Sequence, residues 1–244
     1  MELAELHVIT ACRKEIACYS SLVSRLFAAD IITFPADLAR EADHRIANNL
    51  SIISSLIRVE ANKFSSKAFI PSAEVHDLLT SISARMDTIA RLHRLVRQSA
   101  GVARVNVAEY LTEIAGATVS TISDNNYIEF ELTPDRYVNP KLAATIGLFV
   151  CEALTNAIKY AHPTGVSGKI WISAEVAGSV FRVSVTDDGI GLPENFEPDQ
   201  ATSTGLVVMK ALAAQSGGSV EFQGLPIGFR VCLDLPLAIV EAIA

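Results

Sequence analysis

The segment EALTNAIKYA at 152–161 sets Glu152, Asn156 and Lys159 four and three residues apart, on one face if the segment is helical. Asparagine offers a neutral carbonyl that can ligate Mg²⁺, a carboxylate can hold a ligating water, and lysine can meet phosphate. Alone, the stretch reads equally well as a solvated helix edge. In VTDDGIGLP at 185–193, an apolar run delivers Asp187, then Gly189 and Gly191, with Pro193 closing the loop. Glycines let backbone approach a flat ligand or a phosphate, and an ionised Asp, acceptor-only, suits an exocyclic amino group such as that of adenine. Taken singly this is also a common turn. In STGLVVMKAL at 203–212, Ser203 and Thr204 precede a helix whose first N–H groups can bind an anion; in isolation it is an ordinary N-cap.

A histidine stands far upstream, in EADHRIANNLSII at 41–53. Ile46, Leu50, Ile53 and Ile57 follow it at spacings of four, three and four, one face of a helix. At about 100° per residue, His44 lies roughly 150° from that stripe, on the wet side, with Arg45 beside it and Asn48 one turn on.

The elements that must position these residues follow from periodicity. Residues 37–64 form one helical pattern without Gly or Pro, KFSSKAFIPSAE supplies a turn, and Leu78, Ile82, Met86, Ile89, His93 and Val96 continue a second helix. The two make a helical hairpin. Its apolar seams require covering, either by a second copy in a four-helix bundle, which is expected, or by the chain's own second half. Beyond Gly101 a short helix at 106–117, a strand YIEFEL, a buried helix at 140–161, strands KIWISAEV and VFRVSVTD, a helix at 204–215 and strands SVEFQ and FRVCLDLP are predicted. Strands in adjacent antiparallel pairs beside segregated helices indicate an α+β sandwich. The expected domains are a helical segment at 1–35, the hairpin at 36–100 and the sandwich at 101–244.

Composition excludes some classes. Net charge is −7 with dispersed Lys and Arg, which is no nucleic-acid footprint. No uncharged run approaches the ~18–20 residues of a membrane span, so no membrane partner is expected. Cys12, Cys18, Cys151 and Cys232 form no CxxC pair and read as reduced thiols, with a cytoplasmic location expected.

Together, in this order, the motifs resemble the catalytic core of a sensor histidine kinase, in the branch related to the HWE kinases. The resemblance runs from about Glu41 to Pro236. DHRIANNL is similar to the phosphotransfer box, supported by IARLHRLV on the second helix. EALTNAIKYA resembles the N box, DDGIGLP the G1 box and STGL the lid-side G2 box of a Bergerat-type (GHKL) ATP-binding sandwich. The resemblance implies that His44 attacks the γ-phosphate of Mg-ATP and passes the phosphoryl group to an Asp of a response-regulator receiver. It implies that Glu41 or Asp43 orients His44 or takes its proton, and that Asn48 contacts the phosphoryl group. Asp187 would hold the adenine amino group. Asn156, with Glu152 nearby, would bind Mg²⁺ and phosphates. Gly189 and Gly191 would shape the nucleotide loop, and Lys159, Ser203, Thr204 and Gly205 would face the triphosphate. A homodimer is implied as well. The other histidines, His7, His76, His93 and His162, read as structural or surface residues.

The chain departs from the family pattern at Ser203 and Val207, where glycines usually flank the G2 position, and the lid between Pro193 and Ser203 is short. Two alternatives stay open: a histidine phosphotransferase or response-regulator phosphatase that uses the same His44 with little or no ATP, and a non-catalytic nucleotide-binding scaffold.

Overall fold

Three helices carry the interior, and each starts at a residue suited to start it. The computed structural model describes residues 69–98, 104–122, 127–133, 136–163, 166–192 and 204–241, all within one compact unit, Ser55–Ala244. The segment expected around His44, with Glu41, Asp43 and Asn48, lies outside the described residues, as do the first 35 residues, the lid and Ser203.

Helix α1, Ser72–Gln98, begins where the Pro71 carbonyl accepts from Val75 N–H at 3.2 Å. A two-residue strand β1, Val105–Asn106, leads into α2, Val107–Ile122, where Asn106 Oδ1 accepts from Ala108 N–H at 3.0 Å. Helix α3, Pro140–Asn156, is capped by Asn139, which accepts from Leu142 N–H, and carries proline in its first turn, where the missing N–H costs nothing. These three helices pack on one another. Helix α3 continues as a π-helical turn, Ala157–Ala161. Pro140–Ala161 has the length and hydropathy of a membrane span, but 83% of its most apolar window is buried inside the fold, as in a core helix.

The predicted seam of α1 is not the face it buries most deeply. Of the predicted seam Ile89 is buried, while Leu78, Ile82, Met86, His93 and Val96 are half-buried; the flank of Ala84, Arg85, Thr88 and Leu92 is buried against α2 and α3. Ile89 and Leu92, 2% and 1% exposed, each contribute about 1.5–3 kcal/mol. Within the described residues α1 therefore packs on the chain's own second half. Its core is continuous with that of α2 and α3.

Among the described residues five strands form the sheet: β2 Tyr127–Leu132, β4 Lys169–Ala177, β5 Val180–Asp187, β6 Ser219–Gly224 and β7 Phe229–Pro236. A separate short strand, β3 Tyr137–Val138, pairs with β1. The order is β2-β4-β5-β7-β6. Neighbours are antiparallel except β2 and β4, which are parallel. The expected antiparallel pairs, β4 with β5 and β6 with β7, are present, and the parallel β2–β4 pair is an addition to them. Parallel strands need a crossover of a dozen or more residues, and α3 is that crossover.

Ile170, Ile172, Phe181, Val183, Val185, Val231, Leu233 and Leu235 are buried beneath the helices. Polar pairs line the other face. Trp171 Nε1 donates to Glu129 at 2.8 Å, and Arg182 reaches both oxygens of Asp234 at 2.7 and 2.6 Å. Helix α4, Thr204–Gln215, lies against α3, and a short α5, Leu237–Glu241, ends the described chain. Cys151 and Cys232 are free and buried. Burial pushes the Cys151 thiol up to about 12, which leaves it inert as a nucleophile.

Candidate nucleotide site

Helix α3 and its π turn form the spine of the site. Near its middle, Glu152 is 4% exposed. One turn on, Asn156 is half-buried. The start of α4 lies directly on both: a Cβ placed on Gly205 would stand 3.3 Å from Glu152 Oε2 and 3.3 Å from Asn156 Nδ2. A carboxylate, an amide and the N-terminal end of a helix thus converge, and the backbone comes this close because residue 205 has no side chain. Free N–H groups at a helix start favour anions.

The far end of the spine holds the glycine loop. Ala161 O, the last carbonyl of the π turn, accepts from Ile190 N–H at 2.9 Å, and a side chain on Gly189 would run into Ala161. Asp187, at the end of β5, is 6% exposed and accepts from Gly189 N–H at 2.9 Å. Burial raises its carboxyl above the usual value, partly offset by N–H bonds from Gly189 and Phe229. Beside it, burial alone would raise Asp188, but Lys169 N–H and His162 hold it below its ordinary value. His162 Nε2 lies 2.8 Å from Asp188 Oδ1. His162 thus ties the end of the spine to the loop, in keeping with the structural role expected of it.

Two glycines in this region have φ values that side chains rarely adopt, Gly191 at 72° and Gly228 at 84°. A Cβ on Gly228 would overlap the Asp187 carbonyl. Alanine there is expected to cost at least about 1–2 kcal/mol from the left-handed backbone alone. Melting of Gly228→Ala should fall by roughly 2–8 °C or more. A melting point equal to the parent's would mean that this turn does not confine Asp187.

The structure brings Glu152, Asn156 and Gly205 together at one end, and Asp187, Gly189 and Gly191 at the other. Lys159 is engaged elsewhere: its Nζ lies 3.4 Å from the Asp77 carbonyl and 3.7 Å from Asp77 Oδ1, on α1. Sequence reading missed Arg85. Arg85 Nε donates to Glu152 Oε1, and Nη2 donates to Oε2 at 3.0 Å. The available signal was its position four residues before Ile89 and seven before Leu92, which puts a cation on an apolar helix face.

Residues 41–122 match the family described as histidine kinase. Residues 143–239 match the family of histidine kinase-, DNA gyrase B- and HSP90-like ATPases. The chain belongs to the histidine kinase family. The two matches fall in the order of the motifs and together cover well over half the chain. The ATPase family implies ATP binding. Among relatives, blue-light-activated histidine kinase 2 of Erythrobacter litoralis is 28% identical over 205 residues, 81% of this chain and 56% of that protein. Sensor histidine kinase PdtaS of Mycobacterium tuberculosis is 29% identical over 184 residues, 74% of this chain and 35% of that protein. The chain thus spans about half and about a third of these relatives. A solved blue-light activated histidine kinase of Erythrobacter litoralis superposes with a TM-score of 0.68 at 21% identity, covering 86% of this chain and 63% of that one. That likeness establishes the kinase fold.

Proposed function

We propose that this chain is an ATP-dependent protein-histidine kinase of a two-component system, with His44 as the phospho-acceptor. The observation that carries the reading is the convergence of Glu152, Asn156 and the start of α4 on the last turns of α3, with Asp187 and the glycine loop at the end of the π turn that continues it. In this arrangement a nucleotide would lie along the last turns of the spine, adenine at Asp187 and phosphates at Gly205.

The donor set fits a hard divalent cation. Mg²⁺ is bound by one or two carboxylates or amide carbonyls together with substrate phosphates, and Glu152 and Asn156 supply that number. When bound, Mg²⁺ neutralises phosphate charge; Asn156 and Glu152 would hold it. The chain's own groups do the rest. Asp187 accepts from the adenine amino group, the first N–H groups of α4 receive the phosphates, and His44 attacks in line through a ring nitrogen. Glu41 or Asp43 takes the proton or orients the ring, and Asn48 steadies the phosphoryl group. Lys159 needs only to leave the exposed Asp77, a pairing of about 0–1 kcal/mol, to reach a phosphate. Catalysis of this kind is mostly positioning and charge neutralisation. The phosphoryl group then passes to an Asp of a response-regulator receiver. A homodimer and a cytoplasmic location belong to this proposal, as do the domain limits 1–35, 36–100 and 101–244.

Val207 favours a second reading, net phosphotransfer or phosphatase action at His44. A β-branched residue replaces the usual hinge glycine and lies within the first turns of α4, where it stiffens rather than bends the backbone. One experiment separates the two. Chain pre-labelled with γ-labelled ATP is mixed with a receiver domain, and separately a phosphorylated receiver is mixed with unlabelled chain without nucleotide. The kinase reading expects label to move to the receiver in the first mixture. Loss of receiver phosphate in the second, with no uptake from ATP by the chain, would replace it with the phosphatase reading.

A further inference from the structure

Both charged residues assigned to the phosphate end are held by α1. Asp77 meets Lys159, and eight residues later Arg85 meets Glu152, so α1 and α3 run antiparallel, clasped at two points. The two clasps differ in kind. Asp77 is 63% exposed and its bond is exchangeable, whereas Arg85 and Glu152 are 2% and 4% exposed. Around that buried pair the packing is closed: Tyr110 Oη donates to the Thr88 carbonyl at 3.1 Å, and Ala84, Ile89 and Leu92 fill the same interface.

We infer that Arg85 is a positioning residue of the nucleotide site, fixing the Glu152 carboxylate so that its free lone pairs face the cation held with Asn156. The inference rests on the reading of Glu152 as a nucleotide-site residue and deepens it. A carboxylate has about four lone-pair sites on its two oxygens. The guanidinium fork takes one on each oxygen in a planar bidentate grip, leaving the others for a second partner. Oε2, one of the two gripped oxygens, is also the one beside Gly205. A lysine, a point charge without the fork, could not set the plane of the carboxylate. Because α1 is packed into the core, Arg85 is a permanent part of this arrangement, and the site is incomplete without a helix that precedes the ATPase match. Partners that orient a ligating carboxylate typically matter 10- to 100-fold for metal affinity.

The test is calorimetric titration of the full chain with ATP in Mg²⁺ and, separately, in EDTA, for the parent, Arg85→Lys, Arg85→Met, Glu152→Gln and the double variant Arg85→Met with Glu152→Gln. Melting curves accompany each. The parent is expected to bind ATP more tightly with Mg²⁺. Arg85→Met should reduce that Mg²⁺-dependent gain by about 10-fold or more, with affinity in EDTA changed far less, and Arg85→Lys should restore only part of it. In the Glu152→Gln background, Arg85→Met should cause no further loss. If Arg85→Met melts too low to titrate, Arg85→Lys and the double variant carry the comparison. An unchanged Mg²⁺ gain in any folded Arg85 variant overturns the inference alone, as do additive losses in the double variant. A parent that binds no ATP overturns both the inference and the nucleotide reading beneath it.

Discussion

An Asp187→Asn protein is expected to bind ATP about 10- to 100-fold more weakly than its parent while melting no lower at neutral pH. The carboxylate is nearly buried and accepts from Gly189 N–H at 2.9 Å. Asparagine keeps a carbonyl oxygen for that bond but turns an NH₂ donor toward the adenine amino group. One hydrogen bond to a charged group, worth about 1.5–3 kcal/mol, is lost, and each 1.4 kcal/mol is tenfold. Stability moves the other way. Burial places the folded-state pKa of Asp187 above its unfolded value. Between the two values the native state binds more protons than the unfolded one. This group's favourable contribution is therefore full below the unfolded value and is lost as pH rises through the folded value. Above that window an ionised Asp187 is carried at a cost, which Asn removes. ATP affinity of the parent should also weaken on acidification, starting above the usual carboxylate range. Titrations and melts at two pH values check all three. Unchanged affinity in Asp187→Asn would remove the adenine contact from the proposal.

Glu152→Ala is expected to lose about 3–5 kcal/mol of stability, because it leaves the Arg85 guanidinium buried without its carboxylate. For a unit of this size the melting point should fall by roughly 6–20 °C. Replacing both partners tells a different story. Arg85→Met with Glu152→Met removes two buried charges together and fills the space with apolar groups, a change that is often neutral or stabilising. The double variant should therefore melt well above Glu152→Ala. Chemical denaturation of the three proteins measures the effect. A Glu152→Ala protein that melts with its parent would show that water or another group satisfies Arg85, and that the pair does not close the α1–α3 interface.

Much of the sandwich was legible because its strands are β-branched and apolar and its turns carry Gly and Asp: VFRVSVTD and FRVCLDLP place Phe181, Val183, Val185, Val231, Leu233 and Leu235 in the core. The helix of 204–215 was found at its observed limits. What escaped the reading depends on tertiary partners. Helical periodicity locates a stripe but does not say which flank meets the core, so α1 buries Arg85, Thr88 and Leu92 beside the stripe that was drawn. The parallel pairing of β2 and β4 follows from where α3 returns the chain, and hydrophobic alternation carries no strand direction. The π turn at Ala157–Ala161 left no mark in a run of ordinary helix formers. Arg85 was legible only as an oddity, a cation among apolar neighbours. Its meaning appeared once Glu152, 67 residues away, was seen in its grip. The site motifs were read by residue type and order, and the fold then grouped Glu152 and Asn156 with Gly205 while engaging Lys159 with Asp77.

ATP bound along α3 is expected to phosphorylate His44. Incubation of the purified chain with γ-labelled Mg-ATP, beside His44→Ala and Asn156→Ala, tests it directly. Label is expected on the parent and on neither variant, with His44→Ala still binding ATP as the parent does. Label on His44→Ala, or none on a parent that binds ATP, would contradict it.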